Sequence, residues 1–188
     1  SAGTYVVTLI VSNNSWGDST THTIVVLDYP NAQVGHYRDG GVVFWVDPND
    51  NTHGLVCDVS DVPGSGDWGC QGSIMGASGG GIGDGSQNTI NILNGCSGNI
   101  AAKQCADNTA QGYTDWFLPS ISELNAMYVN ISVIDSVAQV VGGSVFSNLY
   151  WTSTEYSSTH AKAQYFSNGS QTQHQKYSPH SVRAIRAF

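Results

Sequence analysis

The side chains best suited to chemistry in this sequence are three histidines near its C-terminal end, His160, His174 and His180. Imidazole is a common metal ligand, but a metal site built on one helix places its histidines at HxxxH or HExxH spacing. These three histidines have neither spacing, and no Asp or Glu follows Glu155 to complete a ligand set. We therefore predict no metal site and no cofactor in this part of the chain.

A second possible ion site is the loop DPNDNTHG. Asp47, Asn49 and Asn51 have the alternate-residue spacing of an EF-hand calcium loop. The position that requires glycine is occupied by Thr52, and the position of the bidentate Glu by Asp58. The loop therefore favours a hairpin turn between two strands.

Four cysteines lie in the middle third of the chain: Cys57, Cys70, Cys96 and Cys105. Their spacing is too wide and irregular for a zinc knuckle, so disulfides are the better interpretation. We favour Cys57 with Cys70 and Cys96 with Cys105, because short loops close at least entropic cost. Cys70 with Cys96 is the rival pairing, and four reduced, buried thiols are the alternative. Two bridges would indicate an oxidising compartment.

Charge is divided unevenly along the chain. All fourteen acidic residues lie at or before Glu155, whereas four of the six basic residues follow it. Nucleic-acid binding usually needs a clustered basic surface, whereas these four basic residues are dispersed and the first 155 residues are acidic. We therefore predict no nucleic-acid partner. No apolar run reaches the roughly 18 residues of a membrane span, so we predict no direct membrane insertion.

The pattern of strands and helices predicts an α+β protein. GTYVVTLIVSN and STTHTIVVLD form a β-hairpin of alternating, β-branched residues. Two more strands flank the DPNDNTHG turn, and a glycine-rich stretch forms a structured loop. Three short helices follow; the third begins at Ser120, with Glu123 at capping-box spacing. The last third returns to strands.

Eight motifs in fixed order then make a family recognisable. They are GGVVFWVDP, HGLV, WGC, IGDGSQNT, GYTDWFLPSISELNAMY, YWTSTEY, QYFSNGSQ and VRAIRAF. Together they resemble the bacterial C-type-lectin-like domain of the Lcl C-terminal type, which occurs in collagen-like adhesins and in retroelement-diversified variable proteins. The resemblance covers residues 35–188. Residues 1–30 resemble the end of a PKD or Ig-like β-sandwich.

The resemblance implies a binding module and no enzyme. We expect a C-type-lectin-like ligand-binding domain at 35–188, carried by a partial β-sandwich at 1–30, outside the cell, on a cell surface or on a virion. Its partner would be a protein or glycan on a host or neighbouring cell surface. In diversified relatives the segment that corresponds to 156–181 is rewritten by adenine-directed mutagenesis. The alternative is a carbohydrate-binding adhesin of lectin type without diversification.

The residues themselves also predict a surface at 156–181. In HAKAQYF, large polar side chains alternate with small ones, and SQTQHQKYSPH has no apolar anchor. Tyr and His bury area and still form hydrogen bonds, as paratope residues do. We predict that the ligand contacts exposed residues that contribute little to burial. They are Tyr156, Ser157, Thr159, His160, Lys162, Gln164, Gln171, Gln173, His174, Lys176, Tyr177 and His180.

Overall fold

The computed structural model describes residues 3–12, 17–26, 31–64 and 66–188. The chain divides into two compact units, residues 1–31 and 32–188. The first unit contains the predicted antiparallel hairpin, made of β1 (Gly3–Ser12) and β2 (Gly17–Val26). The turn predicted between these strands lies partly outside the described residues. Its assignment to a PKD or Ig-like sandwich stays a prediction.

The described part of the second unit has seven strands and four α-helices. In chain order these are β3 (Tyr37–Arg38), β4 (Gly41–Val46), β5 (Gly54–Cys57), α1 (Asp84–Gly95), α2 (Ala101–Ala106), α3 (Ile121–Val129), α4 (Ile131–Val140), β6 (Leu149–Glu155), β7 (His160–Tyr165), β8 (Gln171–Gln175) and β9 (Ile185–Ala187). None of these helices is long and apolar enough to cross a membrane.

The strands of the second unit form two antiparallel sheets. One sheet has the order β3-β4-β5-β9, so the last strand of the chain returns to pair with β5, with Cys57 opposite Ile185. The other has the order β6-β7-β8. All four helices fall in the chain between β5 and β6. The α+β class is confirmed.

The turn between β4 and β5 is the predicted hairpin turn. Asp47 Oδ1 accepts a hydrogen bond from the Asn49 main-chain N–H at 2.8 Å, and Asp50 Oδ1 accepts one from Thr52 N–H at 3.0 Å. The carboxylates therefore shape the turn itself. This is the usual use of Asp and Asn in turns.

The capping box predicted for the third helix is confirmed. Ser120 Oγ accepts a hydrogen bond from Glu123 N–H at 3.3 Å, and Glu123 Oε2 accepts one from Ser120 N–H at 2.7 Å. The helix that follows, α4, was not predicted. It buries Ile134 and Ala138, one turn apart on the same face.

Two clusters of buried apolar side chains form the core of the second unit. One contains Trp68, Ile92 and Trp151, and the other contains Phe44 and Tyr150 with residues of α3 and α4. Successive side chains on a strand point to opposite faces, so neighbouring residues of β6 contribute to both clusters. Strand β6 therefore connects the two halves of the core.

The favoured disulfide pairing is wrong, and the rival pairing is present. Cys70 is bonded to Cys96, whereas Cys57 and Cys105 are free and buried. Folding places Cys57 in the core cluster away from Cys70, and it brings Cys96 to Cys70 rather than to Cys105, so loop length did not determine the pairing. Burial raises the pKa of the Cys57 thiol to about 12 and that of Cys105 well above its ordinary value. Both thiols are therefore structural and unreactive.

Candidate ligand-binding surface

The candidate site is built on the hairpin of β7 and β8. Residues directly opposite one another in an antiparallel pair share a face. One face, called here the outer face, carries three opposed pairs: His160 with Gln175, Lys162 with Gln173, and Gln164 with Gln171. The other, called the inner face, carries Ala161 with His174 and Ala163 with Thr172.

The two faces differ in exposure. Ala161 and Ala163 are fully buried on the inner face. On the outer face all three glutamines of β8 are exposed, and His160 and Lys162 of β7 are half-buried. The alternation predicted for HAKAQ is therefore present over Ala161, Lys162 and Ala163.

Two exposed tyrosines flank this hairpin in sequence. Tyr156 precedes β7 and Tyr177 follows β8, with 56% and 57% of their surfaces exposed. The Lys162 ammonium lies 4.7 Å from the centroid of the Tyr156 ring, in a cation–π contact. We define the outer surface as the two tyrosines with the open side chains of the outer face. Its members are Tyr156, His160, Lys162, Gln171, Gln173, Gln175 and Tyr177.

Gln175 belongs to this surface but was not among the predicted residues. The sequence analysis assigned no strand to the polar segment from Ser170, because the segment has no apolar anchor. The signal that could have found Gln175 is its alternate spacing with Gln171 and Gln173, which is the period of a strand.

Ser157 and Thr159 shape the turn between β6 and β7. Ser157 Oγ accepts hydrogen bonds from the main-chain N–H groups of Thr159 and His160, at 3.2 and 3.1 Å. Both residues are half-buried. They therefore fix the start of β7 beside the outer surface.

Gln164 is fully buried, so its predicted exposure is wrong. Its side-chain amide donates to Asn125 Oδ1 of α3 at 2.9 Å and to the Gly169 carbonyl at 3.2 Å. The strand pattern placed Gln164 on the correct face. Helix α3 covers that end of the face, which alternation within a strand does not reveal.

Lys176 is also fully buried, again contrary to prediction. Its ammonium donates to Glu155 Oε1 at 2.6 Å and to the Ser73 carbonyl at 2.7 Å, and it lies 4.4 Å from the centroid of the Trp68 ring. Glu155 in turn accepts hydrogen bonds from the main-chain N–H groups of Met75 and Gly76. Lys176 therefore fastens the end of β8 to the core and to the loop after Cys70.

His174 and His180 pack around Trp151 on the inner side of the hairpin. The His180 ring centroid is 4.6 Å from that of Trp151 and 4.7 Å from that of His174. Trp151 Nε1 donates to the Gly66 and Ser178 carbonyls at 3.0 and 3.1 Å. These two histidines support the segment after β8 from within and lie apart from the outer face.

The His180 ring makes the stability of this corner sensitive to pH. Its Nε2 atom is buried without a hydrogen-bond partner among the described residues. Burial, with His174 nearby, lowers the pKa of His180 from 6.5 to about 4. Protonation therefore favours the unfolded chain, and the contribution of His180 to stability, full above pH 6.5, is lost as the pH falls towards 4.

We expect a His180→Phe variant to lose less stability than the wild type over this pH interval, because Phe keeps the ring contact and cannot be protonated. Urea unfolding at a series of pH values measures the difference. The matched control is His53→Asn, at an exposed histidine in the β4–β5 turn. If the Phe variant and the wild type lose equal stability, His180 does not cause the acid sensitivity.

No group of three or more His, Cys, Asp or Glu side chains in the described part of the chain is arranged to hold a metal ion. The three histidines near the C-terminal end lie on two different sides of the β7–β8 hairpin. His160 lies on the outer face, while His174 and His180 pack against Trp151 on the other side.

Comparison with known proteins assigns the family. No curated protein matches the chain. The family model of the Lcl C-terminal domain matches residues 49–186, which is more than half of the chain and includes β5–β8, all four helices and the outer surface, whereas β3 and β4 precede it. This domain is C-type-lectin-like, in agreement with the α+β architecture of the second unit. The chain therefore belongs to the Lcl C-terminal domain family.

Proposed function

We propose that the second unit is a non-enzymatic recognition module that binds a protein or glycan ligand through its outer surface. One observation carries this proposal. Among the described residues, the side-chain amides of Gln171, Gln173 and Gln175 form no hydrogen bond within the protein, although they project from a well-paired strand. Such side chains add little to folding and remain available to a ligand.

The two tyrosines strengthen the proposal. A tyrosine loses little side-chain entropy when a ligand binds, and it offers both apolar area and a hydroxyl group. Interface energy concentrates in a few such anchors. We therefore assign Tyr156 and Tyr177 as the anchors and the glutamines as adaptable polar contacts.

We propose an adhesive role outside the cell, on a cell surface or on a virion. The Cys70–Cys96 bridge supports an oxidising compartment. Residues 1–30 would then belong to a PKD or Ig-like stalk that presents the recognition domain at 35–188.

We further propose that the outer surface is diversified, as in the variable proteins that the sequence resembles. The fold limits which positions within 156–181 are free to change. Gln164 and Lys176 are buried and bonded to the core, so they would stay fixed while the outer surface varies. A genomic repeat that differs from this segment at adenines, beside a reverse-transcriptase gene, would support diversification, and substitutions spread evenly over the segment would contradict it.

The decisive experiment compares binding by the wild type and by a variant with Asn at Tyr156, Lys162, Gln171, Gln173 and Tyr177. Both are applied to an array of glycans and to an array of cell-surface protein ectodomains. We expect the variant to lose its signals by about tenfold or more, because truncated anchors commonly cost 2 kcal/mol or more. Its melting temperature should move by only a few degrees, because exposed positions contribute little to stability.

The matched control carries Asn at Ser136 and Gln139, two exposed residues of α4, and should bind as the wild type does. Signals confined to the glycan array would favour the carbohydrate-binding alternative. Equal binding by the outer-surface variant and the wild type would place the ligand site elsewhere.

A further inference from the structure

One of the six Lys and Arg side chains differs from the others in its ion pairing. Five of the six Lys and Arg residues form an ion pair with a carboxylate: Arg38 with Asp39, Lys103 with Asp107, Lys176 with Glu155, Arg183 with Asp61, and Arg186 with Asp115. All six lie within the described residues. Lys162 alone has no ion pair there.

The ammonium group of Lys162 is also held in place before a ligand binds. It lies on the outer face opposite Gln173, and its ammonium is held beside the exposed Tyr156 ring. A cation–π contact restrains the long side chain while leaving its N–H groups available. Less side-chain entropy is then lost when a ligand binds the ammonium.

The surroundings of Lys162 favour a negatively charged partner. No Asp or Glu follows Glu155, and Glu155 itself is paired with Lys176. The rest of the chain is acidic and would repel the same partner. Complementary charge confined to one face orients a partner and sets specificity more than it sets affinity.

The free edge of β8 indicates that this partner is a polypeptide. Hydrogen bonds from Lys176 N–H to the Thr159 carbonyl and from Tyr165 N–H to the Ser170 carbonyl, both 3.0 Å, mark the two ends of the pairing with β7. Bonded pairs alternate in an antiparallel ladder. The main-chain N–H groups of Gln171 and Gln173 therefore point away from β7, and no other described strand pairs with that edge.

An open strand edge is a template for an added strand. Strand β8 also lacks the usual protections of such an edge, because it contains no charged residue, no proline and no bulge. We infer that the outer surface takes an extended acidic polypeptide segment, which pairs its backbone with the free edge of β8 and places a carboxylate on Lys162. This inference rests on the proposed function, because it specifies the ligand of that surface.

Selection from a random-peptide phage library tests the inference. Peptides selected on the wild-type protein should be enriched in Asp and Glu, and their affinity should fall with added salt. A Lys162→Gln variant should bind the selected peptides about tenfold more weakly, as expected for a hydrogen bond between charged groups. A Lys162→Glu variant should select Lys- and Arg-rich peptides instead. Unchanged selection by the Glu variant would overturn the inference.

Strand addition is tested at Gln173. A Gln173→Pro variant loses an outward N–H together with the glutamine side chain, at a position at which an edge strand tolerates proline, and should no longer bind the peptides. A Gln173→Ala variant loses the same side chain but keeps the N–H, and should still bind them. Amide hydrogen exchange on the wild type gives a second readout that needs no variant: peptide binding should slow exchange at Gln171 and Gln173. Unchanged exchange at both amides in the peptide complex would overturn the strand-addition model.

Failure of the inference is distinguishable from failure of the proposed function. Peptides whose binding survives replacement of the outer surface by Asn would contradict the proposed function. Peptides that lose binding on that replacement, but show no acidic enrichment, would contradict only the acidic-segment inference.

Discussion

Replacing Lys176 with Met is expected to lower the free energy of unfolding by about 3–5 kcal/mol. The side chain of Glu155 is 4% exposed, and in this variant its Oε1 atom loses the one cation that pairs with it among the described residues. A buried carboxylate without its cation is strongly destabilising, even though the main-chain N–H groups of Met75 and Gly76 still donate to it. Met has a similar volume to Lys, so the loss reports the charge and its hydrogen bonds rather than a cavity.

Urea unfolding at neutral pH measures this loss. Lys162→Met is the matched control, since it removes the same group from β7, where Lys162 has no ion pair within the described part of the chain. We expect the control to cost less than about 1 kcal/mol. Adding Glu155→Gln to Lys176→Met should recover part of the stability, because the unpaired charge is then gone. Equal losses in the two lysine variants would mean that the Lys176–Glu155 pair does not anchor the hairpin.

The expected effect at Lys176 bears on the proposed diversification of this surface. Outer-surface residues are interleaved with anchors along one short segment: Lys162 projects outward between two buried alanines, and Lys176 points into the core one residue after β8. A recognition surface that tolerates many side chains requires such fixed neighbours. The hairpin can therefore accept changes on one face while its position on the core is held by the other.

Local rules recovered those parts of the fold that depend on neighbours in sequence. The Ser120–Glu123 capping box was predictable because its two residues and the backbone groups they satisfy lie within one turn. The first hairpin was predictable from β-branched alternation. The exposed side chains of β7 were predictable from the contrast between Lys162 and the alanines beside it.

Helix α4 and strand β8 were missed because tertiary context overrides local preference. The sequence ISVIDSVAQV is rich in β-branched residues, which favour strands, yet burial of Ile134 and Ala138 against the core holds it as a helix. QTQHQ has no apolar residue, and its strand form is fixed by pairing with β7. Neither partner is visible in a local window of sequence.

The cysteines and Lys176 were misjudged for a related reason. Loop-closure entropy is a property of the unfolded chain. It carries no information about where folding places each sulfur atom. A lysine in a polar segment is usually exposed, whereas Lys176 is buried against Glu155, 21 residues earlier, and against the more distant Ser73 and Trp68. Contacts between residues distant in sequence determined both the disulfide pairing and the burial of Lys176.

Removing the Cys70–Cys96 bridge should lower the free energy of unfolding by about 3.5 kcal/mol, because the bridge closes a loop of 26 residues in the unfolded chain. The close approach is built into the backbone: Gly69 has φ +104°, and a Cβ atom there would lie 2.8 Å from Cys96 Sγ. Urea unfolding of a Cys70→Ala/Cys96→Ala variant measures the loss. Adding a reductant to the wild type, which leaves every side chain in place, should reproduce it.

The bridge and the ion pair should also depend on each other, because the loop that follows Cys70 supplies the contacts of both Glu155 and Lys176. The Ser73 carbonyl accepts from Lys176, and the Gly72 N–H donates to the Ser158 carbonyl at the start of the outer surface. Once the bridge is gone, this loop holds the pair less firmly, so adding Lys176→Met should cost less stability than that substitution costs in the wild type.

Alkylation of the unfolded, unreduced protein should label two thiols, Cys57 and Cys105. Four labelled thiols, or a reductant that leaves the urea midpoint unchanged, would contradict the structural role of the bridge.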